Sequence, residues 1–198
     1  MRLTMLAVAG MVLLAALAVV VLARPSSEGV SANGWAGAVR PDIPPRSWAL
    51  TDQDGHSVRV GAPGTGPSVV TFLYTHCQDT CPATASTVRG AMDQLGHDVP
   101  VYAVSVDPAH DTPDSARAFL SRNHLTGRMH FLLGPSAALQ RVWTQFGIQP
   151  QERDSEHTAY VVVLDATGRQ RIGFPFEKLT PEGLAHDLRR LSQSGTDT

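Results

Sequence analysis

The segment Ser68-Val69-Val70-Thr71-Phe72-Leu73-Tyr74 is β-branched or apolar at almost every position and offers water no polar face. A run of this kind is a strand covered on both sides, which requires a sheet with a layer packed on each face. The residues after this run constrain the chain further. Cys77 lies just past it, and Pro82 suits the first turn of a helix extending through Met92 and Leu95 to Gly96. The pattern then repeats. Val99 to Val106 is a second buried-strand run, ended by Asp107-Pro108. Thr112-Pro113-Asp114 supplies an N-cap, a first-turn proline and an acid for a helix to about His124.

The rest of the chain continues in the same style. A short strand is expected at His130 to Leu133, and a helix from Pro135 to Phe146 stops at Gly147. Tyr160 to Leu164 and Gln170 to Phe174 flank Asp165-Ala166-Thr167-Gly168 as a hairpin, and Thr180-Pro181-Glu182 opens a last helix to Leu191. Upstream, Ser47 to Thr51 and His56 to Val60 flank the turn tetrapeptide Asp52-Gln53-Asp54-Gly55. Alternating strands and helices predict an α/β domain, a central sheet flanked by helices. The closing hairpin and helix make it similar to a thioredoxin-like fold. There the reactive cysteine sits after a strand, at a helix N-terminus.

Four segments are expected: residues 1–23, an apolar anchor or signal; 24–42, a flexible linker rich in Ser and Gly; 43–192, the folded domain; and 193–198, a polar tail. Leu3 to Ala23 carries no charge, and at about 1.5 Å per residue it reaches about 30 Å as a helix, enough to span a bilayer. Val21-Leu22-Ala23 is a tolerable signal-peptidase pattern, so a cleaved signal is the alternative. The length of the run favours the uncleaved, single-pass anchor. Either way the domain is expected outside the cytoplasm, tethered to the membrane or secreted. The net charge of −2 gives nucleic-acid binding no electrostatic support.

Only two cysteines are present, four residues apart. An exported chain lives where disulfides persist. A loop this short gains little chain-entropy stabilisation, so the pair reads as chemical rather than structural. A helix N-terminus presents free N–H groups and a positive dipole end, which favours thiolate, both metal ligand and nucleophile. Two thiolates suit Cu(I), and one added imidazole gives a three-coordinate site that also tolerates Cu(II). A structural zinc site would need four ligands. Among eight histidines the third ligand is assigned to His157, in Glu156-His157-Thr158 ahead of the strand at Tyr160, where a plain thioredoxin has proline. His76 is the second candidate. Asp79 is read as an outer acceptor or helix-start acid, and Asp107 and Asp111 as turn-making and capping residues. The other histidines are read as ordinary polar positions.

The stretch Thr75-His76-Cys77-Gln78-Asp79-Thr80-Cys81-Pro82 resembles the signature of the Sco (SenC) family of copper proteins. So do Val104-Ser105-Val106-Asp107-Pro108 with Asp111-Thr112-Pro113, and His157 ahead of Val163-Leu164-Asp165-Ala166-Thr167-Gly168. The likeness covers about Ile43 to Leu191 and departs at Gln78, where the family commonly has proline. It implies a thioredoxin-like domain behind one N-terminal helix, with copper on Cys77, Cys81 and His157. It also implies service to the dinuclear copper site of cytochrome c oxidase, as copper donor or as reductant of that site's cysteines. An extracytoplasmic thiol-disulfide oxidoreductase using the redox-active pair Cys77 and Cys81 is therefore the main rival. A peroxiredoxin fits less well, since Tyr74 stands where its motif has threonine. An interaction domain with a merely local disulfide is the third reading.

Overall fold

The computed structural model describes residues 33–64, 66–150 and 159–194. The predicted transmembrane or signal run therefore lies outside the described residues, as does His157. Among the described residues no helix is long and apolar enough to cross a membrane.

The strands are β1 (Ala38–Val39), β2 (Trp48–Thr51), β3 (Ser57–Val60), β4 (Ser68–Leu73), β5 (Val101–Ser105), β6 (His130–Leu132), β7 (Tyr160–Leu164) and β8 (Gln170–Pro175). The helices are α1 (Thr80–Leu95), α2 (Pro113–Arg122), α3 (Ser136–Phe146) and α4 (Pro181–Ser194). Six strands form one sheet in the order β1-β8-β7-β4-β5-β6, and β2 and β3 form a separate hairpin. β4, β5 and β6 run parallel, whereas β7 pairs antiparallel with both β4 and β8.

The apolar runs are explained by two cores. Side chains alternate across a strand, so Val69 and Leu73 of β4, Val101 and Ala103 of β5, and Val161 and Val163 of β7 face one way. They meet α1, α2 and α4 through Val88, Phe119 and Leu188. Val70, Phe72, Tyr102, Val104 and Val162 face the other way, against α3 and the β2–β3 hairpin. All six residues of β4 are buried. Full burial of one such side chain stabilises by about 1.5–3 kcal/mol, which is what replaces the missing polar face.

Helix ends follow the sequence signals. Thr112 caps α2 by accepting from the Ser115 N–H, and Gly96 closes α1 at φ 77°. α1 begins at Thr80, which leaves Pro82 in its first turn as expected. Proline lacks only a donor that the first turn leaves unpaired in any case, so it is tolerated a residue or two into the helix. Cys81 thereby belongs to the helix rather than to the loop.

The expected linker over residues 24–42 needs correction where it is described. Ala38 and Val39 pair with Gly173 and Ile172 of β8. The fully buried Asp187 accepts from the Ala36 and Gly37 N–H groups at 3.0 and 2.9 Å. The Arg190 guanidinium lies 4.1 Å from the centre of the Trp35 ring. No hydrophobic period announces this strap because it adheres through backbone donors. It also needs small residues: a Cβ on Gly37 would come within 2.4 Å of the Ile172 side chain.

Candidate metal centre

β4 delivers the site. After Leu73 the chain turns through Tyr74, Thr75 and His76 to Cys77, whose N–H donates to the Tyr74 carbonyl at 3.4 Å. Asp111 fixes this loop. Its Oδ1 accepts from the Thr75 N–H at 2.8 Å and from the Thr75 hydroxyl at 2.7 Å, and its Oδ2 accepts from the Ser105 hydroxyl at 2.5 Å. The loop before Cys77 is thus tied to the end of β5 and the approach to α2. Burial pushes the Asp111 carboxyl up, and the Ser105 and Thr75 donors pull against it. The expected capping role of Asp111 is replaced by this clamp. Asp107 keeps its turn: its carbonyl accepts from the His110 and Asp111 N–H groups.

Both cysteines are free thiols; Cys77 is half-buried and Cys81 buried. The Cys81 N–H in the first turn of α1 donates to the Cys77 sulfur at 3.2 Å, and the Thr80 hydroxyl lies 3.4 Å from it. Burial opposes ionisation of Cys77. Hydrogen bonds from the Cys81 thiol, the Thr80 hydroxyl and the N–H groups of Cys81 and Asp79 outweigh it, and the pKa falls. Cys81 moves the opposite way, raised first by burial and then by its hydrogen bond to Cys77. Tyr74 is pushed up to about 12, by burial and by the hydrogen bond of its hydroxyl to the Cys77 sulfur. One thiol of the pair is accessible and easily ionised, while its neighbour holds its proton.

Cys77 and Cys81 are thus brought together at the strand-to-helix junction. His76 is exposed, with Nδ1 3.1 Å from the Thr75 hydroxyl. Asp79 makes no side-chain cap, and its contribution is the N–H that faces Cys77. β7 lies beside β4, with Val161 opposite Thr71 and the Tyr160 carbonyl accepting from the Thr71 hydroxyl at 3.3 Å. Chain entering β7 therefore arrives at the end of β4 that leads to Cys77. A second group of potential ligands, Asp52, Asp54 and His56, sits on the β2–β3 turn. Asp52 Oδ1 there accepts the Asp54 and His56 N–H groups, and Oδ2 lies 3.1 Å from His130 Nδ1, an arrangement that holds the hairpin.

The sequence reading gave Asp111 another role, and it missed the Tyr74 hydroxyl and the site contacts of Thr75 and Ser105. The signal that could have found them is the threonine ahead of the cysteine, a donor needing an acceptor once the loop is packed down.

Against known families, the model described as SCO1/SenC matches residues 41–193. Protein SenC of Rhodobacter capsulatus is 46% identical over 52 residues, 25% of this chain and 24% of that one. An SCO2-like protein of Rickettsia prowazekii is 22% identical over 131 residues, 61% of this chain and 63% of that one. The chain thus spans less than two thirds of the length of either relative. Among solved structures, Bradyrhizobium japonicum ScoI with copper bound aligns with TM-score 0.60 and 29% identity, covering 75% of this chain and 99% of that one. Apo Sco1 from Thermus thermophilus aligns with TM-score 0.66 and 25% identity, covering 79% and 96%.

Proposed function

The chain belongs to the SCO1/SenC family, and from that premise we propose that it binds copper outside the cytoplasm on Cys77, Cys81 and His157 and hands it to another copper protein. The observation that carries this reading is the Cys77 sulfur, kept ionisable by helix N–H groups and a hydroxyl, four residues from a second thiol. Two sulfurs are the donor set a soft cation prefers. The similarity to a ScoI solved with copper bound supports the choice of metal.

His157 stands three residues before Tyr160, where β7 begins beside β4. That position in the sequence, close ahead of a strand paired with β4, supports His157 as the third ligand. Copper would leave by ligand exchange to a partner richer in thiolates, such as the copper-site subunit of cytochrome c oxidase. Anchoring through the apolar run Leu3 to Ala23, or secretion after its cleavage, belongs to the same reading.

A second reading is favoured by the asymmetry of the two thiols. An accessible, acidic Cys77 beside a buried, protonated Cys81 suits disulfide reduction. The Cys77 thiolate attacks a partner disulfide and releases one partner thiolate. Cys81, losing its proton, then displaces the second, leaving Cys77–Cys81 oxidised and the partner reduced by two electrons.

Cu(I) titration of the reduced full chain tests both. One copper per chain, with affinity lost in His157→Ala, is the expected result. Full binding in that variant removes His157 from the site. No copper binding, with rapid reduction of a disulfide substrate that Cys77→Ser abolishes, selects the reductase.

A further inference from the structure

His76, the residue before Cys77 in the chain, and His110 are two exposed imidazoles that the proposed copper site does not use. The His76 and His110 rings meet edge to face, with centres 6.5 Å apart and planes at 81°. Little packing depends on them, since the His110 side chain is 70% exposed.

Their hydrogen bonds fix how each ring can act. His110 Nδ1 lies 2.9 Å from both oxygens of the Asp107 carboxylate. An ionised carboxylate only accepts, so Nδ1 carries the proton and Nε2 the lone pair. His76 Nδ1 lies 3.1 Å from the Thr75 hydroxyl, whose single proton is directed to Asp111 at 2.7 Å, with Ser115 Oγ a second acceptor at 3.0 Å. The hydroxyl can then only accept from His76, which also places that ring's proton on Nδ1 and its lone pair on Nε2. Two neighbouring rings are thus held in one tautomer, each with the same nitrogen left as a donor for a metal. An imidazole backed by a carboxylate is the usual support for a metal-binding ring.

We propose that His76 and His110 form an outer, nitrogen-only capture site for Cu(II), from which copper passes to Cys77 one residue away. Metal–nitrogen bonds of about 2.0 Å place two imidazole centres about 5–6 Å apart, so the two rings, 6.5 Å apart at centre, would have to draw together and turn their Nε2 atoms onto one ion. Imidazole pairs favour Cu(II) over the other common divalent ions. Thiolates bind copper more strongly than two imidazoles alone, so the gradient runs inward. The passage to Cys77 rests on the copper reading of the dithiol; the capture site does not.

The experiment uses the full chain in which Cys77→Ser, Cys81→Ser and His157→Ala remove the inner ligands. Cu(II) is titrated in and read by electron paramagnetic resonance, with circular dichroism as the folding control. One Cu(II) per chain with splitting from two nitrogens is expected. Its affinity should fall at least about tenfold in His110→Ala or His76→Ala and about tenfold in Asp107→Asn. In the parent chain given one equivalent of copper, His110→Ala should slow loading of the dithiol while leaving its final occupancy unchanged. Equal affinity with and without His76 and His110, or a spectrum lacking two equivalent nitrogens, overturns the proposal. Loss of copper at the cysteines of the parent chain, with the two-nitrogen signal intact, overturns the dithiol reading instead.

Discussion

At the scale of single residues, the site works through a division between its thiols. On the proposed copper reading, both sulfurs must bind as thiolates. Cys77 is lowered and Cys81 raised, so between their two pKa values the apo protein carries a proton on Cys81 that copper must expel. Falling pH restores that proton and opposes binding. Affinity for Cu(I) should therefore weaken by about tenfold per pH unit on acidification over this window. Competition with a chelator at three pH values measures it, and a flat profile means that Cys81 is not a ligand. The Cys pair was legible in the sequence because its spacing and flanks are local. The Asp111 clamp was not, because Thr75, Ser105 and Asp111 come from three places that only the packed fold unites.

At the scale of elements, legibility tracked burial. β4, β5 and β7 read as apolar runs because both their faces are covered, whereas β1 has two residues and no pattern. The strap that carries β1 rests on Asp187, a buried carboxylate in α4 that also lies 2.8 Å from His186 Nδ1. Asp187→Ala would leave the Ala36 and Gly37 donors unpaired. The expected loss is about 1–3 kcal/mol in urea unfolding, together with faster hydrogen exchange at those two amides. A change below about 0.5 kcal/mol with protection unchanged would show that the strap is held by other contacts.

At the scale of the whole molecule, the order of the sheet was the least legible feature. Strand patterns announce strands, not neighbours, and the insertion of antiparallel β7 between β4 and β8 follows from packing of the complete chain. That insertion brings the start of β7 to the end of β4, the placement on which the proposed third ligand rests. Copper held from both places would bind the native state and not the unfolded chain. At a hundredfold excess over Kd it should add about 2.7 kcal/mol, a rise in Tm of about 5–10 °C for a domain of this size. Calorimetry of the reduced chain should show it, and the Cys77–Cys81 disulfide form should not.

The narrow seam between β1 and β8 has a mechanical consequence. Any traction on the chain upstream of residue 33 enters the domain at this sheet edge, through Ala38↔Gly173, Val39↔Ile172 and the neighbouring Asp187 contacts. Pulling along the strand loads these bonds together in shear, whereas pulling across it peels them in turn. β4 is the third strand inward from that edge, and the Cys77 loop hangs on its own bonds to Asp111. The seam can yield first, as a fuse, while the thiols keep their places.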